Sequence, residues 1–143
     1  MIHESYVTLK TGKLLQEAKF GTKNCRFYYS EFTDAPTSAG VVDEDTGKVY
    51  GLFDSLCCGE SDDVYDIPVP TLAIAQKWLR EVKGYELWVY PFSTHYRFSF
   101  YGYLANEDNY TDFDTYEQAL EAGIQKALKY ILKDKEDGRN TNN

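Results

Sequence analysis

Residues 71–101 read TLAIAQKWLREVKGYELWVYPFSTHYRFSFY. In the first part of this stretch, apolar residues recur every three or four positions from Leu72 to Val82, and this spacing predicts an amphipathic helix. Thr71 can cap its first turn, and Gly84 can take the left-handed conformation that ends a helix. The sequence therefore predicts one helix followed by a sharp change of structure.

Beyond Gly84 the apolar spacing changes from the helical period to two. Residues 85–91 and 96–101 alternate in this way, so they are predicted to be the strands of an antiparallel hairpin. One face of the pair would pack on helices and form core, while the other face would be open to a second layer or to solvent. The expected core face is Tyr85, Leu87, Val89, Tyr96, Phe98 and Phe100.

Residues 115–132 read TYEQALEAGIQKALKYIL, and Thr115 followed by Gln118 has the spacing of a capping box. This predicts a second helix after the acidic loop 106–114 and completes a helix-hairpin-helix unit at 71–132. Its expected apolar face is Tyr116, Leu120, Gly123, Ile124, Ala127, Leu128 and Ile131.

In the N-terminal half of the chain, the runs of regularly spaced apolar residues are shorter. Residues 8–19 fit either a helix or a hairpin that turns at Thr11 and Gly12, and we favour the helix although the glycine costs it about 1 kcal/mol. Residues 25–32 are predicted to form a strand, and a hairpin is predicted to turn at residues 43–48 between strands 40–42 and 49–53. Residues 55–70 are predicted to be a long acidic connection.

These elements indicate an α+β fold, with an antiparallel or mixed sheet of about 4–5 strands and two or three helices. We expect a single domain over residues 1–133 and a disordered tail over 134–143. Three cysteines, two of them adjacent, indicate free thiols and a reducing compartment. With no apolar stretch long enough to span a membrane, a cytoplasmic protein is expected.

The net charge is −8 and the sequence pI is about 4.7. Acidic side chains concentrate in residues 43–66 and 107–121, so the rest of the chain is mildly basic. This balance opposes non-specific binding to nucleic acid, because phosphates are repelled.

Three segments carry a resemblance: YVTLKTGKLLQEAKF at 6–20, PVPTLAIAQKWLREV at 68–82 and FDTYEQALEAGIQKAL at 113–128. Together they resemble uncharacterised small proteins of gut bacteria, their phages and mobile elements. The resemblance supports the helical interpretation of residues 8–19 and implies an accessory role on a mobile element. Its motifs are helix caps and helix faces, and it brings no activity or site residues with it.

No catalytic or metal-binding motif is complete. His3 and His95 are far apart, and no Cys-x-x-Cys spacing accompanies Cys57 and Cys58. Asp43-x-Asp45-x-Gly47 resembles the start of a calcium loop, but the glycine is one position early, so a β-turn is predicted. Glu60, Asp62 and Asp63 are interpreted as a solvated acidic loop. The sequence predicts no metal and no cofactor.

The density of aromatic residues between 85 and 103 is the one unusual feature. On the second face of the hairpin it predicts a binding platform of Trp88, Tyr90, Arg97, Tyr101 and Tyr103. Either the N-terminal segments cover this face, or it binds a protein, a glycan or a base. We expect the N-terminal helix to cover Trp88 and expect Tyr101 to be exposed. Base stacking is disfavoured because Arg97 alone could meet phosphate.

The functional hypothesis is a non-catalytic accessory protein that binds another macromolecule, most simply a protein, without a membrane and with a homodimer as an alternative. One version is an inhibitor whose acidic surface competes with nucleic acid for a basic protein. The rival hypothesis is a small cytoplasmic enzyme whose site gathers His95, Cys57 or Cys58, Glu60 and Arg97.

Overall fold

A computed structural model describes residues 1–32, 40–54, 66–101 and 111–141. The fold is α+β, as predicted. The helices are α1 (Leu9–Glu17), α2 (Leu72–Glu81) and α3 (Tyr116–Thr141), with a 3₁₀ turn at Thr22–Asn24. The strands are β1 (Phe27–Phe32), β2 (Gly40–Val42), β3 (Val49–Asp54), β4 (Ile67–Val69), β5 (Glu86–Phe92) and β6 (His95–Tyr101).

The chain divides into two compact units. The first, the sheet unit, is Tyr6–Thr71, and the second, the hairpin unit, joins Met1–Ser5 to Leu72–Asn143. The two ends of the sheet unit lie side by side, because Tyr6 and Thr71 form an antiparallel bridge. In the hairpin unit, the Leu72 N–H donates to the Ser5 carbonyl at 2.9 Å. A single domain over 1–133 stays a prediction.

In the sheet unit, four antiparallel strands lie in the order β2-β3-β1-β4. The predicted hairpin is confirmed, since Val42 pairs with Val49 and Gly40 with Gly51. Asp43 shapes its turn by accepting the Asp45 N–H at 2.9 Å, and Gly47 has a φ of +72°. These features identify the turn predicted for this segment.

The helical interpretation of residues 8–19 is also confirmed. Thr8 is the N-cap of α1, and its side chain accepts from the Thr11 N–H. Gly12 is buried against β4: a Cβ there would lie 2.7 Å from the Pro68 carbonyl oxygen and 2.8 Å from Ile67 Cγ2. The glycine that weakens the helix therefore lets it approach the strand closely.

Strand β4 is absent from our sequence-based prediction, which assigned residues 55–70 to a connection. Ile67–Val69 pairs with β1 through Tyr29 and Ile67 at one end and Phe27 and Val69 at the other. Its three residues are all buried. Three residues are too few to show alternation, and the central Pro68 argues against a strand except at a sheet edge, which is where β4 lies.

In the hairpin unit, β5 and β6 form a two-stranded sheet of their own, separate from the four-stranded one. Leu87 pairs with Phe100 and Val89 with Phe98, so these side chains share a face. Leu87, Phe98 and Phe100 are buried, as predicted for the core face. Both β5 and β6 pack against α3, and α2 packs against α3 and β5.

Helix α3 begins with the predicted cap, since the Gln118 N–H donates to Thr115 Oγ1 at 3.1 Å. Its buried residues are Ala119, Leu120, Gly123, Ile124, Ala127 and Leu128. Tyr116 is exposed, in contrast to our expectation, and Ala119 takes its place in the core. The helix continues to Thr141, past residue 134, where we expected a tail to begin.

Candidate functional site

One face of the hairpin gathers four of the five residues predicted to form a platform. Residues directly opposite in an antiparallel ladder project to the same side, so the pairs Trp88–Ser99 and Tyr90–Arg97 place these side chains together. We call this surface the hairpin face, and it consists of Glu86, Trp88, Tyr90, Phe92, His95, Arg97, Ser99 and Tyr101. Each of these residues is exposed or half-buried. The fifth predicted residue, Tyr103, lies outside the described residues.

Three rings of the hairpin face form a row with Trp88 in the middle. The Trp88 centroid is 5.0 Å from that of Tyr90 and 5.5 Å from that of Tyr101, with interplanar angles of 35° and 21°. Trp88 therefore has a neighbouring ring on two sides, while Tyr101 ends the row. The exposed fraction is 38% for Trp88 and 60% for Tyr101. The row presents a continuous apolar surface to solvent.

The expectation that the N-terminal helix covers Trp88 stays a prediction, and the Trp88 side chain is 38% exposed. Within the sheet unit, helix α1 packs against β4 through Gly12. The spacing of apolar residues in α1 predicted which side of the helix is buried, but it could not predict which strand that side packs against. The expectation that Tyr101 is exposed is confirmed.

Arg97 is held from two sides. Its Nε donates to Asp112 Oδ1 at 2.5 Å, and its Cζ lies 3.7 Å from the centroid of the Phe92 ring. The hydrogen bond from Arg97 lowers the pKa of Asp112, and the same bond raises the pKa of Arg97. Arg97 is thus engaged within the protein, which weakens it as a receptor for an external anion.

The segment that precedes α3 borders the hairpin face. Tyr96 and Phe113 exchange backbone hydrogen bonds of 2.9 Å, so residues 112–114 lie along the edge of β6. Phe113 then points to the core face beside Phe98, and its neighbours Asp112 and Asp114 lie on the side of the hairpin face. Neither aspartate was predicted to belong to this site. The alternation Asp112-Phe113-Asp114 was the available signal for a short extended segment.

His95 lies near Asp114, with Nε2 at 3.7 Å from Oδ1, and its Nδ1 is 3.1 Å from Thr94 Oγ1. The first distance exceeds hydrogen-bond range, and the Asp114 side chain is 86% exposed. Water therefore screens the contact between His95 and Asp114. This contact does not fix the orientation of the imidazole, as the contact in a catalytic pair would. Of the other residues of the predicted enzyme site, Cys57, Cys58 and Glu60 lie outside the described residues.

Each outer edge of the hairpin is occupied in part. The backbone N–H and C=O of Tyr96 point outward to Phe113. Pro91 is the cross-strand partner of Tyr96, so its backbone groups also point outward, away from β6. Proline has no N–H, so this position cannot donate a hydrogen bond to an added strand. On the same edge of β5, the Leu87 carbonyl accepts from Gln76 Nε2 of α2 at 2.9 Å. Such an edge does not readily pair with an additional strand.

Outside the hairpin face, the described residues provide weaker candidates for a functional site. Burial raises the pKa of the Cys25 thiol, which makes it a poor nucleophile at neutral pH. In the sheet unit, an open groove lies between the first turns of α1 and β2, and the ion pair of Lys13 and Asp43 lies within it. Among the described residues, no three His, Cys, Asp or Glu side chains are grouped to hold a metal ion.

No family model, no curated protein and no solved structure matches this chain. None of the helices in the described ranges combines the length and the apolar character needed to cross a membrane.

Proposed function

We propose that this chain is a non-catalytic accessory protein that binds another protein through the hairpin face. The observation that carries the proposal is the row of Tyr90, Trp88 and Tyr101, whose rings are exposed or half-buried on one face of the two-stranded sheet. Clustered tryptophan and tyrosine side chains supply most of the binding energy in many interfaces, because they bury a large area with few rotatable bonds.

The surroundings of the row support a protein partner over a nucleic acid. Glu86, Asp112 and Asp114 are exposed acids, and Arg97 is paired with Asp112. A phosphate backbone approaching this face would be repelled, because the described part of the face offers no lysine and its arginine is already paired. The segment 71–132, taken as a helix-hairpin-helix unit, would then act as the rigid carrier of the recognition surface.

The setting we propose is the cytoplasm, in an accessory role on a phage or mobile element. The sequence resemblance supports this setting. The inhibitor version, in which acidic loops occupy a basic protein in place of nucleic acid, draws on the acidic residues of segments 43–66 and 107–121. A homodimer is the alternative occupant of the hairpin face.

The proposal is tested by affinity capture with the tagged full chain from lysate of the cells that encode it. We compare the wild type with Tyr101→Ala and with Val82→Ala, because Val82 is an apolar residue of the same unit with a matching exposed fraction, 61% against 60%. A partner that Val82→Ala retains and Tyr101→Ala loses supports the proposal. Recovery of no partner, or equal recovery by both variants, contradicts it.

A further inference from the structure

We propose that the hairpin face receives a lysine or arginine side chain of the partner protein, which lies on the open ring face of Tyr101 with its charge beside Glu86. This inference rests on the proposed function and specifies the chemistry of the partner.

The charge on and beside the hairpin face is negative. Glu86, Asp112 and Asp114 carry three acidic groups, while Arg97 supplies one cation that is held by Asp112 and Phe92. The chain as a whole has a net charge of −8. A second copy of the chain would bring the same acids to the interface, whereas a basic partner would be attracted. Charge complementarity therefore selects a basic partner over a homodimer.

The geometry of the ring row locates the cation. Tyr101 stacks on Trp88 with an interplanar angle of 21°, and the Tyr90 ring lies tilted beside it at 35°, so Trp88 has ring contacts on two sides within the row. Tyr101 has Trp88 on one side and remains 60% exposed, which leaves ring surface open to solvent. The face of an aromatic ring carries negative potential and attracts a guanidinium or ammonium group placed over it.

Glu86 is the direct cross-strand partner of Tyr101. Opposite residues of an antiparallel pair have Cβ atoms about 5 Å apart, so a cation over the Tyr101 ring is within reach of the Glu86 carboxylate. Ring and carboxylate together make a two-point site for one basic side chain. Such a site favours arginine, whose planar group can stack on the ring while it donates to the carboxylate.

The partly occupied edges of the hairpin favour recognition through this face. Pro91 and the bond from Gln76 to the Leu87 carbonyl block strand addition at β5, and the Phe113 bridge occupies the edge of β6 at Tyr96. Recognition then depends on side chains of the partner more than on its backbone.

The test is a fluorescence titration of the full chain in the Trp78→Phe background, in which Trp88 is the single tryptophan. The probes are 12-residue peptides of alternating Arg-Gly, Gln-Gly and Glu-Gly at about 150 mM salt, where long-range attraction is screened. We expect saturable binding of the Arg-Gly peptide alone, weakened at least fivefold by Glu86→Gln and by Tyr101→Ala. Glu117→Gln, which removes the same charge from the exposed first turn of α3, should change binding less than twofold.

Several outcomes would overturn the inference: no binding of the Arg-Gly peptide, an equal loss with Glu117→Gln, or binding of a single-stranded oligonucleotide or oligosaccharide in its place. A concentration-dependent dimer abolished by Tyr101→Ala would assign the face to a second copy. A partner captured from lysate that depends on Tyr101 but is insensitive to Glu86→Gln would refute the cation site while leaving the proposed function standing.

Discussion

Gly12 of α1 lies directly against Pro68 of β4, so that a methyl group at position 12 would be 2.7 Å from the Pro68 carbonyl oxygen. The atom met is backbone and cannot rotate away. We therefore expect Gly12→Ala to lower the free energy of unfolding by about 1–3 kcal/mol through overpacking, although alanine favours a helix by about 1 kcal/mol. Urea denaturation measures this, with Lys10→Ala on the exposed side of α1 as the control. A Gly12→Ala protein more stable than the wild type would contradict the packing.

Leu120 and Ile124 are buried in α3, which packs against the hairpin. Leu120→Ala and Ile124→Ala are each expected to lower the free energy of unfolding by about 2–5 kcal/mol, because each leaves a cavity that the surrounding side chains fill only in part. Denaturant midpoints give the measurement, and Lys129→Ala on the exposed side of α3 should change it by less than about 0.5 kcal/mol. Losses below about 1 kcal/mol for both core variants would refute the arrangement.

The stacked pair of Trp88 and Tyr101 predicts a difference between two truncations. Trp88 touches rings on both sides, so Trp88→Ala should cost about 1–2 kcal/mol, and Tyr101→Ala at the end of the row should cost less than about 1 kcal/mol. The double variant should show a coupling of about 0.5–1.5 kcal/mol by denaturation, as expected for contacting aromatic side chains. Additive losses would mean that the two rings do not interact in solution.

The contact of Arg97 with Asp112 predicts a pH dependence. Arg97 holds the pKa of Asp112 below its ordinary 3.8 in the folded protein. Stabilisation by this pair is therefore complete above the unfolded-state pKa and is lost as the pH falls through the lower folded-state value. Carboxyl NMR titration should show the lowered pKa, and Arg97→Gln should return it towards 3.8. An unchanged Asp112 pKa in Arg97→Gln would rule out the contact as its cause.

Sequence periodicity predicted the elements whose burial follows from their own spacing. Leu87, Phe98 and Ile124 could be placed in the core because each belongs to a face that repeats along a strand or helix. Strand β4 could not be found, because Pro68 and a length of three residues give no alternation. The packing of Gly12 against Pro68 could not be predicted either, because the two residues are more than fifty positions apart in the sequence.

In the candidate site, too, the residues that follow a repeating pattern were predicted, and those brought in by contacts between distant segments were not. Trp88, Tyr90, Arg97 and Tyr101 were predicted to share a face because alternation alone places them there. Asp112 and Asp114 were missed, because only the bridge of Tyr96 with Phe113 brings their segment beside β6. Asp112 engages Arg97, and both aspartates add negative charge beside the hairpin face.

The bond from the Leu72 N–H to the Ser5 carbonyl has a mechanical consequence. If residues 1 and 141 were pulled apart, tension would pass through this contact and the bridge of Tyr6 with Thr71 before it reached the 66 residues between them. The sheet unit would be shielded as a closed loop until the contact opened. Its unravelling would then release roughly 220–240 Å of chain, which a single-molecule trace would record as a delayed extension.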